Sequence, residues 1–274
     1  MSQTQKNIDF LDDIINNHPV LKFPQERSAF DYIGREKKYL KPSTKMISLC
    51  TQVQQVFYNE LIRGFSEINN RKINYMEIGL YYGASLVSVL ANNFDCLNKV
   101  VTNDILEKDS SLHWRHNTVE NFMNEFFKGL NKTTGKEYSF TNNDNIYKLS
   151  EDLDLTLIVG DCWKIKNQIF DEWGEEKVDI YYYDGDHSQK SQRDAIIEYS
   201  DCYADEFIYL ADDFDSKDEK GNYQVQLGTK EGIEWLIENG YELLYETNTM
   251  NKSKERNSLD GWGGGIYISY LKRK

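Results

Sequence analysis

The sequence is short of the residues that mark several large protein classes. Its four cysteines, Cys50, Cys96, Cys162 and Cys202, stand far apart and form no C-x-x-C pair. That excludes the usual zinc spacings and implies reduced thiols in a cytoplasmic protein. Only three prolines occur, Pro19, Pro24 and Pro42, all in the first 42 residues. Long apolar runs are missing. The longest uncharged stretch, Ile78 to Phe94, holds two glycines, two serines and two asparagines, so it reads as strand, turn and helix rather than a membrane span. The opening MSQTQKNIDFLDD lacks the basic region and apolar core of a signal peptide. Positive charge is in deficit, with 32 Lys and Arg against 45 Asp and Glu and a net charge of −13. Nucleic acid and anionic membranes are therefore poor candidates as partners.

Apolar residues are not scarce. Hydrophobic residues make up 39% and aromatics 14% of 274 residues, too much for a disordered chain and enough for one sizeable core. The front 70 residues read as a helical extension. NIDFLDDIINN is its first helix, and 45–69 repeats apolar residues (Val53, Val56, Phe57, Leu61, Ile62, Phe65) at helical spacing. From residue 71 the texture changes to short apolar runs alternating with helical segments. The runs are 73–80, 99–105, 155–161, 178–184, 206–213, 241–249 and 265–271. Their hydrophobicity is continuous rather than alternating, which predicts strands buried on both faces of a mostly parallel sheet. SQRDAIIEYSDCYA and TKEGIEWLIENG supply two intervening helices, and the last two runs, joined by a polar glycine-rich loop, form an antiparallel hairpin. The long connection 105–155 is read as a helix, SSLHWRHNTVENFMNEFFKGL, followed by a polar surface loop, NKTTGKEYSFTNNDN.

Chemistry gathers where the runs end. YMEIGLYYGAS places Glu77, Gly79 and Gly83 at the end of the first strand. Such a turn lets a ligand approach the backbone beside a helix N-terminus. The dinucleotide fingerprint requires glycine where this chain has Tyr81, so a nucleoside without a pyrophosphate fits better. Asp104 ends the second run and can accept ribose hydroxyls; Asp161 ends the third. Carboxylates at successive strand tips face the crevice at the carboxyl edge of an open sheet.

This pattern resembles the class I S-adenosylmethionine-dependent methyltransferases, over roughly residues 74–271. The resemblance implies a Rossmann-like seven-stranded sheet with a C-terminal antiparallel hairpin. It implies S-adenosylmethionine as cofactor, with Glu77, Gly79, Gly83 and Ser85 around the methionine part, Asp104 on the ribose, Asp161 and Cys162 near the adenine, and Asp184 beside them. A nicotinamide oxidoreductase and a binding protein that keeps the fold without catalysis are the alternatives.

A second acidic set follows. VDIYYYDGDHSQ carries Asp184, Asp186 and His187, and EFIYLADD carries Asp212 and Asp213. Asp184 and Asp212 are one strand–helix–strand unit apart, so their tips are neighbours. Three converging carboxylates repel unless a cation joins them, and Mg²⁺ takes oxygen ligands while keeping positions open for substrate. D-G-D-H with a following D-D is similar to the metal-dependent small-molecule O-methyltransferases, closest to the branch acting on antibiotic sugars. That resemblance implies Asp184, Asp212 and Asp213 as Mg²⁺ ligands and Asp186 as general base. Catechol-type enzymes place the base where this chain has His187. Asp186 is favoured here, although it also stands where it would cap the next helix. The expected acceptor is a hydroxyl of a small molecule, sugar or phenol; a homo-oligomer is compatible with the sequence. The HWRH cluster (His113, Arg115, His116) is read as a solvated helix start, and DGWGGG around Trp262 as a hairpin loop. The charged segment 215–224, with the N-terminal helices, is expected to close over substrate.

Overall fold

The computed structural model describes residues 1–16, 50, 52–80, 83–106, 119–149, 153–249 and 264–274. The elements run α1 (Gln3–Asn16), α2 (Gln52–Asn69), β1 (Ile73–Ile78), α3 (Ala84–Leu90), β2 (Leu97–Asp104), α4 (Val119–Thr134), β3 (Phe140–Asn143) and β4 (Ile146–Leu149). They continue with β5 (Asp154–Val159), α5 (Lys166–Trp173), β6 (Val178–Tyr183), α6 (Gln189–Glu198), β7 (Tyr203–Ala211), α7 (Gln224–Glu238), β8 (Tyr241–Asn248) and β9 (Tyr267–Arg273). All nine strands form one sheet in the order β3-β4-β5-β2-β1-β6-β7-β9-β8.

The five central strands, β5 to β7 in that order, pair in parallel. β9 joins β7 antiparallel, and β8 joins β9 antiparallel. This is the Rossmann-like seven-stranded arrangement the sequence predicts, hairpin included. Every residue of β1 and of β6 is buried, as expected where helices cover both faces.

Strand alternation sorts side chains into two cores. Tyr75, Ile180, Tyr182, Ile208 and Leu210 face α1, α2, α3 and α4. Met76, Ile78, Tyr181, Tyr183, Phe207 and Tyr209 face α5, α6 and α7. The front helices share the first core: Leu11, Ile14 and Ile15 of α1 and Val53, Phe57, Leu61 and Phe65 of α2 pack with sheet residues. At the foot of the sheet the Arg71 guanidinium binds buried Asp179 at 2.5 and 2.7 Å, and Asn7 of α1 donates to the Tyr270 hydroxyl at 2.9 Å.

The structure adds two strands to the seven. The segment read as a polar loop instead ends helix α4 and then forms the β3–β4 hairpin, which extends the sheet antiparallel to β5. Its turn contains Asp144 at φ 55°, a conformation that Asp tolerates. The hairpin escapes a reading by hydrophobicity because β3 is an edge strand with three of four residues exposed. Helix α2 is described from Gln52; 45–49 lie outside the described residues, as do Tyr81, His113, Arg115, His116 and Trp262. Among the described residues no helix is long and apolar enough to cross a membrane, and all four cysteines are free thiols.

Candidate active site

Three strand tips meet closely at the carboxyl edge. The Gly79 amide donates to the Asn103 carbonyl at 2.9 Å, and the Asp184 amide donates to the Ile78 carbonyl at 2.8 Å. Gly79 has φ 93°, and a Cβ there would overlap the Asp184 carbonyl. Only glycine suits this crossing. Beside it opens a cavity of about 260 Å³, lined by Gly79, Asn103, Asp104, Asp161, Cys162, Trp163, Asp184 and Asp186 among others. The sheet order reverses between β1 and β6 here, the place where open α/β sheets bind ligands.

Of the residues expected to hold a cofactor, Gly79, Asp104, Asp161, Cys162 and Asp184 line this cavity. Asp104 is buried and accepts from the Leu106 amide at 2.9 Å. Asp161 accepts from the Trp163 amide at 3.0 Å and pairs with Lys164 at 3.2 Å, so it also holds its own turn in place. Burial pushes the Cys162 thiol up to about 12, which keeps it neutral. Gly83 opens α3 at φ 78°.

Glu77 and Ser85 do not line this cavity. Glu77 is fully buried; its carboxyl accepts from the Tyr75 hydroxyl at 3.0 Å and from the Ser85 hydroxyl. Burial pushes this carboxyl up to about 8 even though both hydroxyls favour its charged form.

The second acidic set stands beside the first. Asp184 and Asp212 share the Tyr182 hydroxyl, which lies 3.3 Å from one Asp184 oxygen and 3.0 Å from one Asp212 oxygen. The other Asp212 oxygen accepts from the Gln54 amide at 3.1 Å. Burial pushes both carboxyls up, Asp212 further through the charges of Asp184 and Asp213. Asp213 adopts φ 52°, and Gly264 packs so close to its carboxylate that a Cβ would overlap it. His187 stands between Asp184 (3.6 Å) and Asp213 (3.4 Å). Contact with Asp184, then the charge of Asp213, outweighs burial and lifts the imidazole to about 9.

Asp186 is oriented differently. Its carboxylate accepts from the hydroxyls of Ser188 and Ser191, both at 2.6 Å, at the start of α6, where Ser188 is the N-cap. Partial burial raises this carboxyl, but the two seryl hydrogen bonds outweigh it and leave it below the ordinary range. The cap of α6 is therefore Ser188 and not Asp186, which instead accepts from the two seryl hydroxyls beside that cap.

Among the described residues no group of three or more His, Cys, Asp and Glu side chains is arranged to hold a metal ion. Asp184, Asp212 and Asp213 supply the carboxylate oxygens that a hard cation takes, but here Asp184 and Asp213 flank the His187 ring, one at each nitrogen, at 3.6 and 3.4 Å. Tyr182, Tyr58, Gln54, Asn103 and Trp163 are the site residues that strand-tip reasoning missed. The Asn103 amide donates to the carbonyls of Ile158 and Gly160 at 2.8 and 2.9 Å, fixing the end of β5. Gln54 and Tyr58 were legible only as an i, i+4 pair on the buried face of α2.

No family model matches the chain, and no curated protein matches it. Solved structures do resemble it. One is the SAH-bound methyltransferase PaMTH1 of Podospora anserina, 13% identical over 85% of this chain and 82% of that one, with a TM-score of 0.48. Another is an O-methyltransferase from Bacillus cereus in complex with SAH, 14% identical over 97% and 96%, TM-score 0.45. A third is the O-methyltransferase TomG from Streptomyces achromogenes with SAM, 12% identical over 100% and 99%, TM-score 0.48.

Proposed function

We propose that this chain is a cytoplasmic S-adenosylmethionine-dependent O-methyltransferase acting on a hydroxyl of a small molecule, a sugar or a catechol-like phenol, with Mg²⁺ or a similar cation at Asp184, Asp212 and Asp213. The observation that carries the reading is the acid-lined cavity at the β1/β6 switch point. Asp104, Asp161, Asp184 and Asp186 give it a negative wall, which suits a ligand bearing a sulfonium and an ammonium and repels a pyrophosphate.

In this reading Gly79 and Gly83 admit the methionine part, with Glu77 and Ser85 behind them. Asp104 takes ribose hydroxyls, and Asp161 with Cys162 borders the adenine. The cation, when bound, lowers the pKa of an acceptor hydroxyl and holds adjacent oxygens. Transfer is in line: the methyl carbon leaves sulfur as the acceptor oxygen bonds to it, and the hydroxyl proton passes to a base. Alignment of such partners is worth about 7–11 kcal/mol in well-oriented cases.

His187 is the base this geometry favours, because Asp186 is already engaged by two hydroxyls. Its imidazole accepts a proton only once the carboxylates that hold it as imidazolium are otherwise neutralised. The charged segment 215–224 closes over the acceptor, while α1 and α2, packed into the first core, stay with the sheet.

Isothermal titration with S-adenosylhomocysteine tests the cofactor. Saturable binding is expected, and no heat at millimolar ligand refutes the reading. Turnover should also require a divalent cation. Activity that survives EDTA and Asp212→Asn refutes the cation while sparing the cofactor.

A further inference from the structure

The front helices do more than cover a sheet face. Tyr182 and Asp184 lie two residues apart on β6 and just past its tip, as Leu210 and Asp212 do on β7, and Tyr182 pairs in register with Leu210. Two-residue alternation therefore puts both carboxylates on the face of the Tyr182 ring, one pleat further along. From α2, Tyr58 brings its ring to 5.0 Å from that of Tyr182 and donates its hydroxyl to the Tyr182 oxygen at 2.9 Å. Gln54, one turn earlier, binds Asp212. Gln54, Tyr58 and Tyr182 are all buried to 1% exposure or less.

We propose that Tyr58 and Tyr182 form a hydroxyl relay that, with Gln54, positions Asp184 and Asp212 as a pair, making α2 a working part of the cation site. The Tyr182 hydroxyl has one proton and two carboxylate acceptors. It holds the inner oxygens at 3.3 Å (Asp184) and 3.0 Å (Asp212) and leaves the outer Asp184 oxygen toward His187, 3.6 Å away. Tyr58 fixes the direction of that proton by occupying the Tyr182 lone pair. A phenylalanine at either position keeps the ring packing and removes only the hydroxyl. These are positioning residues: they act through the carboxylates. The inference rests on the cation reading above and deepens it.

The test is Mn²⁺ affinity, read by electron paramagnetic resonance without cofactor, in Tyr182→Phe, Tyr58→Phe and Gln54→Ala. Tyr182→Phe should weaken Mn²⁺ about tenfold and Tyr58→Phe several-fold, the scale of an outer-shell partner, with S-adenosylhomocysteine affinity unchanged. Unchanged Mn²⁺ affinity in both tyrosine variants overturns the relay and leaves the cation reading intact. Wild-type protein that binds no Mn²⁺ overturns the cation reading, and with it the relay's part in a cation site. A metal-free double-mutant cycle of Tyr182→Phe with Asp212→Asn then tests the pairing itself. Coupling of about tenfold in the unfolding constant supports it, and additive effects overturn it.

Discussion

Replacing Glu77 by glutamine should convert a pH-dependent stability into a flat one. The wild-type carboxyl is fully buried and titrates near 8, against 4.5 for the free side chain. A raised folded-state pKa on an acid means the native protein keeps a proton that the unfolded chain gives up. Stability is then full below the unfolded value and falls as pH rises toward 8. At about 1.4 kcal/mol per pH unit, the gap between 4.5 and 8 amounts to about 5 kcal/mol, of which about 3 kcal/mol is lost by pH 7. Glutamine imitates the protonated acid in size and can still bond to the Tyr75 and Ser85 hydroxyls, so it should not titrate.

The assay is urea unfolding of both proteins at half-unit steps from pH 4.5 to 8.5, in EDTA and without cofactor. Taking the difference between the two curves removes every other titrating group. At pH 4.5 the proteins should be nearly equal, and by pH 8 the glutamine variant should lead by about 4 kcal/mol. A constant difference across that range would mean that Glu77 is ionised in the folded protein at its ordinary pKa, refuting the claim that burial dominates its two hydrogen bonds.

Other expectations follow from the same geometry. Gly79→Ala forces a side chain onto the Asp184 carbonyl in a left-handed conformation, costing about 1–3 kcal/mol for the backbone alone, and should abolish S-adenosylhomocysteine binding in titration calorimetry. Gly264→Ala displaces the Asp213 carboxylate and should weaken Mn²⁺ binding with cofactor affinity kept; equal loss of both would place Asp213 in the cofactor pocket instead. Asp212→Asn removes a carboxyl whose charged form burial and the neighbouring Asp184 and Asp213 disfavour, so the metal-free variant should unfold at a higher temperature than wild type at pH 8 while losing cation-dependent turnover. In EDTA, NMR should find the His187 imidazole titrating near 9. Its raised pKa contributes stability that is complete below about 6.5 and lost as pH rises through 9, an effect reduced by solvent because the side chain is 45% exposed. A midpoint at or below 6.5 would remove the ion pairs assigned to it.

What the sequence showed plainly was set by strand period and strand ends. VDIYYYD and YMEIG carry apolar or aromatic residues on both faces because both faces are covered, and their terminal Asp184 and Gly79 can be placed without coordinates. The β3–β4 hairpin could not, because exposed Thr141, Asn142 and Asn143 carry no burial signal. The roles of Gln54, Tyr58 and Tyr182 were hidden for the opposite reason. A tyrosine in a buried strand reads as core, and its hydroxyl acquires a role only when a helix residue 124 positions earlier in the chain supplies the donor.

The sheet's alternation also explains why these acids sit together at all. Glu77, Asp184 and Asp212 share the face of Tyr75, Tyr182 and Leu210, the core on which α2 lies. Asp213 is next in sequence and would point to the opposite face if β7 continued. Its left-handed conformation, with Gly264 against it, turns the carboxylate back toward His187. A one-residue slip of β7 against β6 would exchange Asp212 for its neighbours and break the shared Tyr182 contact. Register, fixed by Ile208, Leu210 and Ala211 against Ile180, Tyr182 and Tyr183, thus sets the spacing of the acidic pair as firmly as it sets the core. The repulsion of two buried carboxylates is held in place by the packing of the strands beneath them.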